Sequence, residues 1–396
     1  MLKNIPFGPA DILIPKADLS RWACIACDQY TSQREYWQQA YALAGDAPSC
    51  LHITLPEVYL EDDDKDSRIA AINANMREYV ESALFNEYKN ALVLVERRLS
   101  SGKVRRGLVG AFALAEYSYE AGAKCAVRPT EGTVLSRIPP RVEIRRDALL
   151  ELPHIMILMD DGQRRIIESL DTGSMEKLYD VELMLNGGHL CGWLLPETEA
   201  ELVLAQLGEL YEEIKNSGDN LLFAVGDGNH SLATAKASAE IIGSPEAKYA
   251  LAELVSIHSE AVDFEPIYRV LFGADVSDVI KSVRTAFPGE KGREVEYVSA
   301  GGRGSFFVDG LETELLQKFI DEYIDAHSGV SVDYIHGVEA LEALSVSAGS
   351  IGFLYGGINK NELFGYVREK GIFPRKTFSI GEANDKRYYM EARRIR

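Results

Sequence analysis

"NLLFAVGDGNHSLATAKASAE", residues 220–240, runs from an apolar stretch through Gly226, Asp227, Gly228, Asn229 and His230 into an alanine-rich segment. The apolar run reads as a strand and the alanine-rich segment as a helix, with an abrupt turn between them. A strand that stops in such a turn aims several backbone N–H groups, backed by the helix dipole, at one point in space. That is the physical basis of an anion site. Gly226 and Gly228 permit positive φ and close approach of a ligand, while Asn229 or Ser231 is placed to cap the helix. His230 can donate to a phosphate or move a proton. Asp227 repels a phosphate unless a metal or proton intervenes, so its roles are Mg²⁺ ligand, general base or partner of His230. The stretch is no Walker A loop, because no Gly-Lys-Ser/Thr follows, and Ser231 stands where G-x-G-x-x-G needs its third glycine. Asp-Gly is also a common turn, and spacing alone does not separate the two readings.

Working outward, "TEAELVLAQLGELYEEIKNSG" (198–218) is an amphipathic helix closed by Gly218 that delivers the chain to the strand. Upstream, 32–45 and 67–85 read as helices, and "ALVLVERRL" with "VRRGLVGAFAL" (91–114) as a β-hairpin. "HIMILM" (154–159) reads as a buried strand and 181–195 as a hairpin around Asn186-Gly187-Gly188. Downstream come a helix "AKYALAELVSI" (247–257), a strand "FEPIYRVLF" (264–272), a helix at 275–287 and a hairpin whose loop is "GGRGS" (301–305). Helix, strand, helix and strand then alternate toward the C-terminal region. The expected fold is mixed α+β in two lobes, 1–200 and 201–396, the second carrying the motif.

The 396 residues are 46% hydrophobic, enough for a sizeable core. A formal charge of −19 argues against nucleic acid and anionic membrane as partners. Residues 121–146 depart from that balance, with Lys124, Arg128, Arg137, Arg141, Arg145 and Arg146 against Glu131 and Glu143. They suggest a small anionic metabolite or nucleotide as partner, or simply solvated arginines on exposed faces. Five cysteines read as reduced thiols; Cys24 and Cys27 form C-x-x-C near Cys50 and His52, but the surroundings match no zinc or redox site. The remaining histidines, His154 among them, show no metal spacing and read as structural. With no secretory h-region and no apolar run of membrane length, the expected location is the cytoplasm.

"VGDGNHSLATA" resembles the signature of the DUF1015 family, and "VRPTEGT" (127–133), "FEPIYRVL" (264–271) and "FPRKTF" (373–378) resemble three further segments of that family in the same order. The Asp-Gly-x-His element also resembles the phosphate-binding turn of the ParB/sulfiredoxin fold. The resemblance implies a ParB/sulfiredoxin-like nucleotide-binding core with added α/β elements, and a nucleotide site at Gly226, Asp227, Gly228, Asn229 and His230. Asn229 and Ser231 replace a histidine and an arginine of the family pattern, so Arg128, Arg269 or Lys376 has to supply the missing charge. Glu131 is the candidate second base, although Arg128 and Glu131 pair with each other as readily. Lys376 and Thr377 are candidates to bridge phosphate and metal, and Asp28 matches an early family segment and is a candidate Mg²⁺ ligand. Thr130 and Tyr268 stand where the family has histidines.

Together these readings describe a Mg²⁺-dependent phosphotransfer enzyme using ATP or ADP. Asp227, His230 and Glu131 would act on a small hydroxylated metabolite, for which the wider fold suggests serine. The alternatives are hydrolysis of a phosphometabolite such as phosphoserine, and a nucleotide-binding sensor without turnover.

Overall fold

The computed structural model describes residues 5–120 and 122–396. Contacts group the chain into one unit of residues 1–262 with 382–396 and a second of 263–381. The architecture is mixed α/β, as expected. The division near residue 200 is not the one observed. Residues 201–262 belong with the first unit because two of their strands, Phe223–Asp227 and Tyr249–Ser256, are interior members of its sheet.

That sheet has nine strands. From one edge they run Glu176–Glu182, His189–Leu194, Val93–Arg98, Val104–Ala113, Tyr249–Ser256, Met156–Met159, Phe223–Asp227 and Val127–Pro129, with Phe7–Gly8 pairing onto Val104–Ala113. Pairing is antiparallel except where Tyr249–Ser256 meets Met156–Met159 and where Phe223–Asp227 meets Val127–Pro129. Side chains alternate between faces along a strand, and both faces are covered. Leu92, Leu94 and Leu108 enter one core, with Phe112, Phe223 and the helix Glu197–Asn216, which buries Val203, Leu207, Leu210 and Ile214 at helical spacing. Val93, Val95 and Val109 enter the other, with Trp22, Trp37 and Met390.

Most expected elements are present, including the hairpins at 91–114 and 181–195, the strand Met156–Met159 and the motif strand and helix. The expected helix at 247–257 is instead the strand Tyr249–Ser256, of which seven of eight residues are buried. Its Ala, Leu and Glu favour helix in isolation. Here Ala250 and Ala252 are small enough for a strand with sheet neighbours on both sides, and pairing with Val104–Ala113 and Met156–Met159 outweighs propensity.

Residues 382–396 close this unit as a strap. Tyr388–Tyr389 pairs with Cys24–Ile25, and Arg393–Arg394 pairs with Leu150–Glu151. Asp385 accepts from the Ser100 N–H and hydroxyl, both at 2.8 Å, and Arg97 and Arg105 donate to the carbonyls of Asn384 and Asp385. Between these ties Arg387 is buried against Glu253 at 2.6 Å and against Glu391, with its Nε donating to the Pro153 carbonyl at 3.0 Å. Burial pushes the Glu253 carboxyl up, but Arg387 and then Arg105 outweigh it and hold it below the ordinary value.

The second unit is a six-stranded antiparallel sheet. Its order is Gly302–Val308, Arg293–Ser299, Ile351–Tyr355, Phe264–Phe272 and Ser331–His336, with Phe378–Ile380 pairing onto Phe264–Phe272. The helices Val276–Ala286 and Glu312–Ala326 pack on it through Val279, Val283, Leu316 and Ile320. The expected "GGRGS" loop is tighter than read, since the partner strand already starts at Gly302. No helix among the described residues is long and apolar enough to cross a membrane.

Replacing Arg387 by methionine leaves Glu253 and Glu391 buried without their shared cation, and the expected loss is about 3–5 kcal/mol by denaturant titration. A loss below about 1 kcal/mol would show that the cluster does not hold the strap. Because Glu253 is held below its unfolded value, its contribution is present above the ordinary carboxylate range and lost as pH falls through the lowered native value. In the variant that contribution is already missing, so its stability should fall less steeply than the wild type's over this pH range.

Candidate functional site

The motif strand Phe223–Asp227 ends beside the helix Asn229–Ile242 with one residue between them. That residue, Gly228, has φ +79°, and a Cβ there would lie 3.0 Å from the Cα of Ile155. Both facts require glycine. Gly226 has a different task, sitting where the pairing with Met156–Met159 shifts register between Val225 and Asp227. The helix opens without a side-chain cap, and its first hydrogen bond runs from the Leu232 N–H to the Gly228 carbonyl at 3.0 Å. The expected capping by Asn229 or Ser231 does not occur. Asn229 Oδ1 is buried with no hydrogen-bond partner among the described residues, and Ser231 is drawn elsewhere.

Asp227 accepts from the Gly228 N–H at 3.0 Å and faces Lys386 Nζ at 3.3 Å. His230 Nε2 accepts the Val134 N–H at 3.2 Å, which puts the ring proton of the neutral form on Nδ1. Ser231 Oγ lies 2.8 Å from His154 Nε2, and His154 Nδ1 lies 2.8 Å from the Tyr389 hydroxyl. The Tyr389 oxygen also accepts the Cys27 N–H at 3.2 Å. Asp28 Oδ2 lies 3.6 Å from the same Nε2. Burial pushes the Asp28 carboxyl up, but His154, the Gln29 hydrogen bond and the Lys386 charge outweigh it and hold it below the ordinary value. Burial, with Cys27 and Asp28 adding to it, keeps the Tyr389 phenol neutral.

The structure thus brings Asp227, Gly228, Asn229, His230 and Ser231 together with Asp28, and adds Lys386, His154 and Tyr389. The segment 127–134 is brought here too, as Arg128 lies opposite Ala224 in register and the Thr130 hydroxyl donates to the Val225 carbonyl at 2.7 Å. Arg128 itself pairs with Asp219 at 2.7 Å and donates to the Cys125 carbonyl, so it ties the sheet edge rather than facing the turn. Glu131 lies within this segment and is half-buried. Much of the basic island is likewise taken up inside the fold, Arg141 by Glu57 and Arg145 by Glu151.

Arg269, Lys376 and Thr377 belong to the second unit. Arg269 is fully buried, and its guanidinium donates to the carbonyls of Ile267, Arg375 and Lys376, the Tyr355 hydroxyl and Gln317 Oε1. Thr377 is equally buried and donates to the Pro374 carbonyl at 2.7 Å. Two of the four family-like segments therefore meet at the helix mouth, and the other two clamp one another in the second unit. Lys386 and His154 escaped sequence reading because no motif marks them and their partners are distant in the chain. The "DKRYYM" run (385–390) is the one trace of the strap.

Two carboxylates, Asp28 and Asp227, offer the hard oxygen donors that Mg²⁺ takes. Among the described residues the close His, Cys and acidic group is elsewhere, at Asp180, His189 and Cys191 on the edge hairpin. There Asp180 is held by Lys177 at 2.6 Å and His189 at 2.8 Å. Cys24 and Cys50 are buried, and burial raises the Cys50 thiol well above its ordinary value, which suits the inert reading.

A search of curated proteins finds no match. Among solved structures, the chain is similar to a conserved hypothetical protein from Pyrococcus furiosus, at 14% identity and TM-score 0.35, covering 68% of this chain and 92% of that one. A free serine kinase mutant in complex with ADP is similar at 12% identity and TM-score 0.39, covering 74% and 90%. SbnI with a C-terminal truncation, from Staphylococcus aureus, is similar at 9% identity and TM-score 0.37, covering 69% and 82%. Residues 7–344 match the family model described as Protein of unknown function (DUF1015), and the chain belongs to that family.

Proposed function

We propose that the turn at Asp227–Asn229 binds the phosphates of a nucleotide, ATP or ADP, and that the protein transfers a phosphoryl group to the hydroxyl of a small metabolite. The observation that supports this most directly is the uncapped helix mouth. Its first-turn backbone N–H groups, which no side chain caps, and the Lys386 ammonium beside Asp227 lie around a glycine that admits a ligand. Phosphoryl transfer depends chiefly on positioning and charge neutralisation, which these groups provide without covalent chemistry.

In this reading Lys386 takes the role first sought in Arg128, Arg269 and Lys376, neutralising charge on the transferred group. His230, oriented by the Val134 N–H, presents Nδ1–H to a phosphate oxygen. Asp227 and Asp28 are the residues that would hold Mg²⁺ brought in with the phosphates, and the ion would supply further charge neutralisation. Of the two, Asp28 is held ionised, and Asp227 stands closest to the turn and takes the acceptor proton. With a phosphometabolite in place of the nucleotide and water in place of the acceptor hydroxyl, the same groups would hydrolyse it to the alcohol and inorganic phosphate. L-Serine and phosphoserine are the first acceptor and product to test.

The expected result is a rise in Tm with ATP and Mg²⁺ that corresponds to about 2.7 kcal/mol at a ligand concentration of 100 Kd. Lys386→Met should abolish the rise. Asp227→Asn should keep most of the rise and lower phosphoryl transfer, followed by phosphorus NMR, by roughly 10²–10⁴-fold. Binding without transfer to any hydroxyl or to water would favour a nucleotide sensor, and no shift with any phosphate ligand would return the motif to an ordinary turn.

A further inference from the structure

One turn inside the helix mouth, within the first unit, lies a cavity of about 150 Å³ whose wall is mainly apolar, including Leu55, Met76, Ile144 and Leu251. The motif helix contributes Ser231, Thr234 and Ala235 to it, three residues that share one helical face. Thr234 is only 4% exposed, and its hydroxyl has no hydrogen-bond partner among the described residues. A buried hydroxyl without a partner is costly, and in a cavity wall it marks where a polar atom of a ligand belongs. The charged groups of the wall face opposite charges, Arg141 with Glu57 and Arg145 with Glu151, and Glu151 also accepts from Arg393 and the Leu251 N–H, while Arg145 Nε has no hydrogen-bond partner among the described residues. An ionised ligand would be desolvated there without a free counter-charge.

We propose that this cavity is a binding site for an uncharged small molecule with an apolar body and one hydroxyl group, the hydroxyl pairing with Thr234. A void of this size holds a body of about benzene size. The apolar wall supplies most of the affinity, and Thr234 supplies the preference for a hydroxyl over a hydrocarbon of the same shape. The wall shares Cys27, His154, Ser231 and Tyr389 with the helix-mouth cluster, but the inference does not require nucleotide binding there.

Phenol and toluene test it, titrated into the full-length protein by ligand-observed NMR without nucleotide. The wild type should bind both saturably and prefer phenol by roughly two- to tenfold, the span one net hydrogen bond provides. Thr234→Val, nearly isosteric, should erase that preference while toluene binding persists. Ala235→Leu, which fills space beside Thr234, should weaken both ligands by roughly tenfold or more, as the contact surface is lost. No saturable binding to the wild type, or phenol binding that Thr234→Val leaves unchanged, would overturn the proposal. The Thr234→Val comparison decides it even where Ala235→Leu does not fold, and either result leaves the ATP-dependent Tm shift to be judged separately.

Discussion

The first unit depends on a guanidinium taken out of water. Arg387 is 2% exposed and is matched by two carboxylates and a carbonyl, from Glu253 in the middle of the sheet, Glu391 in its own strap and Pro153. Such a pair adds little net stability relative to well-packed apolar side chains, yet losing one partner is expensive. What it adds is register. With Arg387 fixed, Lys386 immediately before it faces Asp227, and Tyr389 two residues later reaches His154. The catalytic candidates of the motif and the groups that complement them are therefore set by one buried electrostatic contact rather than by the motif itself.

Much of this architecture can be read from local pattern. Hairpins, the amphipathic helix Glu197–Asn216 and the strand-to-helix turn are all short-range, and periodicity with turn residues reports them faithfully. Tyr249–Ser256 fails that test because its identity as a strand comes from neighbours on both sides, and its own residues favour a helix. Site composition divides in the same way. Asp227 to Ser231 are contiguous and visible, and Asp28 was reachable through family likeness. Lys386 and His154 become significant only when long-range packing juxtaposes them, and nothing in their immediate sequence records it. Arg269 shows the converse, since it stands in a family-like segment while its guanidinium is buried and bonded to Ile267, Tyr355, Gln317, Arg375 and Lys376 within the second unit.

The charge balance also changes meaning. The sequence carries 42 basic against 61 acidic residues, and several of the basic ones are internal ties, among them Arg97, Arg105, Arg269 and Arg387, all at most 3% exposed. Burial, and then the like charge of Arg105, pull Arg97 down to about 10. These cations are buried alongside carboxylates such as Glu151, Glu253 and Glu391, so the charges withdrawn nearly cancel, and Lys386 stands out as a cation turned toward Asp227 at a helix mouth.

The discontinuity of the first unit has a consequence for biosynthesis. Residues 263–381 intervene between the bulk of that unit and its strap. Chains are made from the N-terminal end, and their domains fold largely as they appear. The turn with Asp227 and His230 is therefore complete in sequence well before Lys386 and Tyr389 exist to complement it. A nascent chain holds the turn beside Asp28 and Asp227 without Lys386, and the arrangement we propose for a phosphate is complete only when the last segment is in place. Assembly of the strap is thus a check on completeness, since a chain truncated before residue 386 retains the motif without the cation that faces Asp227.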